Sequence, residues 1–175
     1  MKHLKYIIVF FIILTFAFIA CHTIFQKAER KIPLFNDNPI YFGDTPNAVQ
    51  KKIGAPSRVT ADVCDTNKTA YDFTATILNN DASVICYFAD DKRLVEVTIH
   101  WYLTDKASAE ALFLKAETLL TNTYGSEKYF FENEQTISDD GMLRTSIGVF
   151  DGAEGVTYTL KLLHEEVIVI CSEEK

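Results

Sequence analysis

Apolar and polar residues follow three different rhythms along this chain. From Tyr6 to Phe25 there is no rhythm: the run is apolar throughout and holds no Asp, Glu, Lys or Arg. From Tyr71 onward the rhythm is two. Tyr71, Phe73, Ala75 and Ile77 alternate with Asp72, Thr74 and Thr76, and Val95, Val97, Ile99 and Trp101 alternate with Glu96, Thr98 and His100. Such alternation predicts strands with one buried face. A further strand is expected over 83–89, with turns at Asn79-Asn80-Asp81 and Asp90-Asp91-Lys92. Together these form an antiparallel meander.

The helical rhythm occurs twice. In GDTPNAVQKKIGAP, Gly43 to Pro56, Thr45 suits an N-cap and Pro46 the first helical position, where a missing N–H costs nothing. Val49 and Ile53 share a face, Gly54 suits the C-terminal cap, and Pro56 stops the helix. A longer helix is predicted from about Asp105 to Tyr124, with Ala109, Leu112, Ala116, Leu119 and Leu120 as its apolar stripe. A second meander follows, with strands over 128–132, 143–150, 156–163 and 167–171. The expected fold is α+β: helices packed on one face of antiparallel meanders, in the order helix, strands, helix, strands, with two tandem units as an option.

The domain division follows from the same pattern. Residues 1–21 read as a signal peptide or membrane anchor, 22–39 as a tether containing Pro33 and the turn formers Asn36-Asp37-Asn38-Pro39, and 40–175 as one domain outside the cytoplasm. Twenty helical residues span about 30 Å, the thickness of a bilayer core. Lys2 and Lys5 precede the run, which favours a cytoplasmic N-terminus. A transmembrane helix is therefore one expectation. The other is a cleaved signal peptide, because Phe18-Ile19-Ala20-Cys21 is similar to a bacterial lipobox. Cys21 is then the candidate lipidation site, and its acyl chains hold the chain at the membrane. Either route predicts a membrane-anchored domain on the outer side, in the cell envelope or periplasm.

Composition narrows the partners. The 175 residues carry a formal charge of −7, and the two lysines before the apolar run make the remainder more acidic still. Phosphate backbones need a basic footprint, so nucleic acid is not an expected partner. Four cysteines, Cys21, Cys64, Cys86 and Cys171, form no CxxC and no zinc-finger spacing with histidine. Two of the last three forming a disulfide, or all remaining as buried thiols, are the alternatives. No nucleotide, hydrolase or metalloprotease motif occurs, and no cofactor or metal is expected. Cys64-Asp65 with His100 is a conceivable thiol and base, but a loop cysteine and an unrelated strand histidine explain them better. Asp90-Asp91 and Asp139-Asp140 fall where turns are expected. The dense aromatics, with Tyr102, Tyr129 and Phe131 foremost, are candidates for an exposed protein-binding surface.

One resemblance joins these features. Gly43, Thr45, Val49, Ile53, Gly54 and Pro56, then Tyr71, Tyr87-Phe88 and Arg93-Leu94-Val95, resemble the pattern of the small SmpA/OmlA (BamE) outer-membrane-assembly lipoproteins and the similar β-lactamase-inhibitor-protein fold. About 60 residues carry it. The resemblance implies a non-enzymatic binding or envelope-scaffold role. An inhibitor or immunity protein acting outside the cytoplasm is the alternative, and a small-ligand binder or enzyme with an unrecognised site is the third.

Overall fold

A computed structural model describes residues 12–15, 30–35, 37–61, 67–136, 142–152 and 155–173. Helix α1, Pro46–Ile53, opens as its sequence demands: the Thr45 hydroxyl accepts from the Ala48 N–H at 3.3 Å, with Pro46 in the first turn. Gly43, at φ +87°, turns the chain so that Gly43 N–H donates to Leu94 O and Leu94 N–H to Asp44 O. Four strands follow around it: β1 Arg58–Ala61, β2 Lys68–Ile77, β3 Asn80–Ala89 and β4 Leu94–Tyr102. Helix α2, Lys106–Tyr124, then leads to β5 Tyr129–Thr136, β6 Met142–Asp151, β7 Val156–Leu163 and β8 Glu166–Glu173.

All eight strands belong to one antiparallel sheet in the order β1-β2-β3-β4-β8-β7-β6-β5. This corrects the α+β expectation of helices packed on separate meanders: the chain is mainly one sheet. The joint is β4 with β8, in register from Glu96 opposite Ser172 to Tyr102 opposite Glu166. Each of these strands ends its own meander. Pairing them removes two open edges and lines up Val97, Ile99 and Trp101 with Cys171, Val169 and Val167, all buried. The protein is thus mainly a sheet, with α2 lying against β6, β7 and β8 and α1 against β2.

Two turns also differ from expectation. The β2–β3 hairpin turns on Leu78 and Asn79, both with positive φ, and not on Asn79-Asn80-Asp81. A two-residue loop needs this conformation to match the twist of its strands, and it releases Asn80 and Asp81 into β3. Likewise the β7–β8 turn is His164-Glu165, with His164 at φ 56°, and Glu166 begins β8. The Asp139-Asp140 turn lies outside the described residues.

One core fills the helix-bearing side of the sheet. Trp101, Tyr158, Phe73, Phe88 and Phe150 are its largest members. Within the stretch read as a tether, residues 30–35 are built into this core: Ile32, Leu34 and Phe35 are buried, and Ile32 N–H donates to Ile40 O at 2.9 Å. The Arg30 guanidinium pairs with Glu173 at the end of β8, and Arg93 approaches the same carboxylate at 3.6 Å. Tyr124 and Tyr158 stack with centroids 4.6 Å apart, and their hydroxyls are 2.8 Å from one another and within 3.5 Å of Lys31 O. These contacts join the N-terminal segment, α2 and the sheet. Burial raises both phenol pKa values above the ordinary range.

The expected transmembrane helix is not found: among the described residues no helix is long and apolar enough to cross a membrane. Of the run Tyr6 to Phe25, residues 12–15 are described, as helical and exposed. Cys21 and the lipobox-like residues before it lie outside the described residues, so the lipoprotein and signal-peptide readings of that run gain no structural support.

Candidate open sheet face

Strand alternation sends every second residue away from the core, and among the described residues neither helix nor the 30–42 segment covers that second face. Register defines its rows. Tyr129, Val149, Thr159, Ile170, Thr98 and Ile85 stand side by side on β5, β6, β7, β8, β4 and β3. This row crosses six strands without a charge. The adjoining row reads Phe131, Ile147, Lys161, Ile168, His100 and Ser83. Ile85, Ile147, Val149, Ile168 and Ile170 are half-buried and do not belong to the core cluster.

The three aromatics singled out from the sequence all reach this face, Tyr102 at the end of the central strand β4 and the other two on the edge strand β5. Tyr102 on β4 is 66% exposed, and Tyr129 and Phe131 on β5 are 57% and 41% exposed. Four strand steps separate β4 from β5, about 19 Å at roughly 4.8 Å per step. The sequence reading missed the isoleucines and valines between them. A signal for them existed: Val167 to Cys171 is a continuous apolar run, the pattern of a strand with apolar neighbours on both faces.

His100 lies on the same face. Its ring lies 4.0 Å from that of Tyr102, tilted by 33°, and its Nε2 is 3.1 Å from the Glu166 carboxylate. Cys86 projects from the opposite face into the core, so strand alternation parts this thiol from the imidazole. Cys64 and Asp65 lie outside the described residues. Cys86 and Cys171 are both buried, free thiols. They flank Val97 from the strands on either side, two strand steps or about 10 Å apart, too far for a disulfide. Desolvation drives both thiol pKa values above the ordinary range, the reverse of what a nucleophile needs.

Asp91 serves its turn, accepting from Arg93 N–H at 3.1 Å. Among the described residues no group of three or more His, Cys, Asp or Glu is arranged to hold a metal. A cleft of about 470 Å³ opens between Leu34, Phe35, Ile53 and the β2–β3 hairpin. Its two lysines are engaged, Lys52 with Asp44 at 2.5 Å and Lys115 with Leu78 O at 3.0 Å.

Comparison with known proteins adds little to this. No protein-family model matches the chain, and no curated protein matches it. Among solved structures, the crystal structure of a DUF4309 family protein (YjgB) from Bacillus subtilis is similar at 13% identity, with a TM-score of 0.43, over 83% of this chain and 89% of that one.

Proposed function

We propose that the chain is a non-catalytic protein-binding domain, displayed on the outer side of a membrane, that engages its partner with the open face of the sheet. The observation carrying the binding role is the uncharged row from Tyr129 to Ile85, bordered by the exposed rings of Tyr102, Tyr129 and Phe131. Protein interfaces centre on aromatic and aliphatic groups depleted of charge, with polar groups at the rim. Glu96, Glu166 and Asp151 supply such a rim here. The membrane setting is supported by the charge-free run Tyr6 to Phe25 behind Lys2 and Lys5.

A photo-crosslinking residue placed at Ile168, in the middle of the face, tests the reading in cells producing the full chain. One discrete protein adduct is expected from Ile168, and none from Leu114, an exposed residue of α2. The Ile168 adduct is expected to vanish when Tyr102 and Phe131 are both changed to Ser. Equal adducts from both positions, or none at Ile168, overturn the reading. An adduct with a single enzyme whose activity falls on binding identifies an inhibitor in place of a scaffold.

A further inference from the structure

The two ends of the sheet differ in how they are closed. At one end, β1 has four residues, all exposed, with Arg58 paired to Asp72. A strand this short offers little backbone to a neighbour. At the other end, β5 runs for eight residues and, among the described residues, pairs with β6 alone. Its first three residues are Tyr129-Phe130-Phe131, with Phe130 44% exposed and the other two rings on the opposite face. None of the devices that protect an edge is present in those three: no proline, no charge, no bulge. The other five, Glu132-Asn133-Glu134-Gln135-Thr136, are polar and twice acidic. The open, apolar length of edge is therefore short and sharply placed.

That short length is complementary to itself. Antiparallel pairing of two β5 strands about Phe130 sets Phe130 beside Phe130 on the two-fold axis. It sets Tyr129 beside Phe131 twice, and Lys128 beside Glu132 twice. Aromatic pairs and opposite charges are favourable cross-strand neighbours. Shifting the centre to Glu132 sets that glutamate against its own copy, and the pairing is lost. The ion pair that Lys128 makes with Asp151, at 2.9 Å, is largely exposed and is exchanged at small cost.

We propose that the β5 edge is a homodimer interface, at which two copies pair antiparallel about Phe130 into one continuous sixteen-stranded sheet. An isologous contact of this kind closes on itself, so it yields dimers and no larger assemblies. Tyr129 and Phe131 of both copies then meet on the open face, and the two open faces become one surface. This interface shares Tyr129 and Phe131 with the partner reading above but rests on the unpaired edge of β5, so a purified chain that dimerises supports it whether or not the open face binds another protein. Few residues pair, so the dimer is weak and concentration-dependent.

The test uses the full chain in density-matched detergent, in a Cys21→Ser, Cys64→Ser background with the buried Cys86 and Cys171 left in place. Sedimentation of this chain is expected to move from monomer to dimer mass as concentration rises, and Phe131→Lys is expected to hold it at monomer mass. With Phe130→Cys, a short bismaleimide is expected to trap a covalent dimer at least tenfold more efficiently than with Ser83→Cys, an exposed control on β3. A chain that stays monomeric at every concentration overturns the proposal. So does a dimer that persists with Phe131→Lys, or equal trapping at Phe130→Cys and Ser83→Cys. A Phe130→Cys adduct with a different protein, in place of the dimer, assigns the edge to strand addition by another chain and also overturns it.

Discussion

Trp101 and Tyr102 are consecutive residues on β4, and the first is fully buried while the second is 66% exposed. One residue step carries the side chain from one face of the sheet to the other. On the covered face Trp101 shares the core with Val97 and Ile99 of its own strand and donates its indole N–H to Ile77 O at 3.2 Å. On the open face the Tyr102 ring packs, tilted, beside His100, and nothing described lies above it. The covered face is closed by three separate pieces of chain, the 30–42 segment, α1 and α2. The open face carries nearly as many β-branched and aromatic residues and, among the described residues, no lid. The difference divides the sheet into a side that holds the fold together and a side whose apolar groups contribute little to it.

The largest expected effect lies on the covered side. Trp101→Ala removes the largest fully buried side chain and leaves Ile77 O without its donor. The expected loss is about 3–5 kcal/mol of unfolding free energy, read from the urea midpoint. A loss under about 1 kcal/mol would mean that the core does not depend on this face as described. Tyr158→Phe keeps the ring and deletes the hydroxyl that Tyr124 and Lys31 O share. Its expected cost is about 1 kcal/mol, and a neutral result would detach the N-terminal segment from the account of the core.

How much of this division was legible depends on what a local pattern contains. Val97, Ile99 and Trp101 announced the covered face of β4 because period two is local and strict. The helix ends at Thr45 and Gly54 were legible for the same reason, since capping chemistry spans only a few residues. Leu94 and Val95, both buried, break the period, because β3 and β4 slip at a bulge beside Tyr87 and Phe88. Ile32, Leu34 and Phe35 read as part of a tether because a loop docked on a core has no period to betray it. The pairing of β4 with β8 depends on which ends of two meanders meet in space, and no local pattern holds that. For the site, Tyr102, Tyr129 and Phe131 stood out by residue type. The isoleucines and valines between them did not, because alternation says which residues share a face and not whether that face is covered.

A smaller effect sits at the start of α2, where the chain leaves the end of β4 and crosses to the covered side. The Asp105 carboxylate accepts from Ser108 N–H and from the Ser108 hydroxyl, each at 2.8 Å. These hydrogen bonds, the backbone one first, hold its pKa below the ordinary aspartate value. The folded value lies below the unfolded one, so the stabilisation is complete above roughly pH 4 and is lost as pH falls through the folded value. Asp105→Asn keeps a good N-cap without a titrating charge. Urea midpoints are expected to show the native chain ahead of the variant at pH 7, with the gap closing toward pH 3. A gap that widens on acidification would contradict this cap geometry.

The smallest expected effect on stability is also the sharpest separation of the two faces. Tyr102→Ser takes a large aromatic ring from the same strand, one residue from Trp101, and replaces it with a small hydroxyl. If the faces were energetically alike, this change would cost several kcal/mol, as a buried ring does. Tyr102 is mostly exposed, however, and its described ring neighbour is His100, which keeps its contact with Glu166. The expected change in unfolding free energy is therefore within about 0.5 kcal/mol. Paired with Trp101→Ala in one urea series, the two substitutions should differ at least sixfold in cost across a single peptide bond. A Tyr102→Ser variant as unstable as Trp101→Ala would show that the second face is packed in the folded chain, and the binding reading would lose its surface. A variant of native stability that no longer yields the Ile168 crosslink would locate the ring's contribution in the complex and not in the fold.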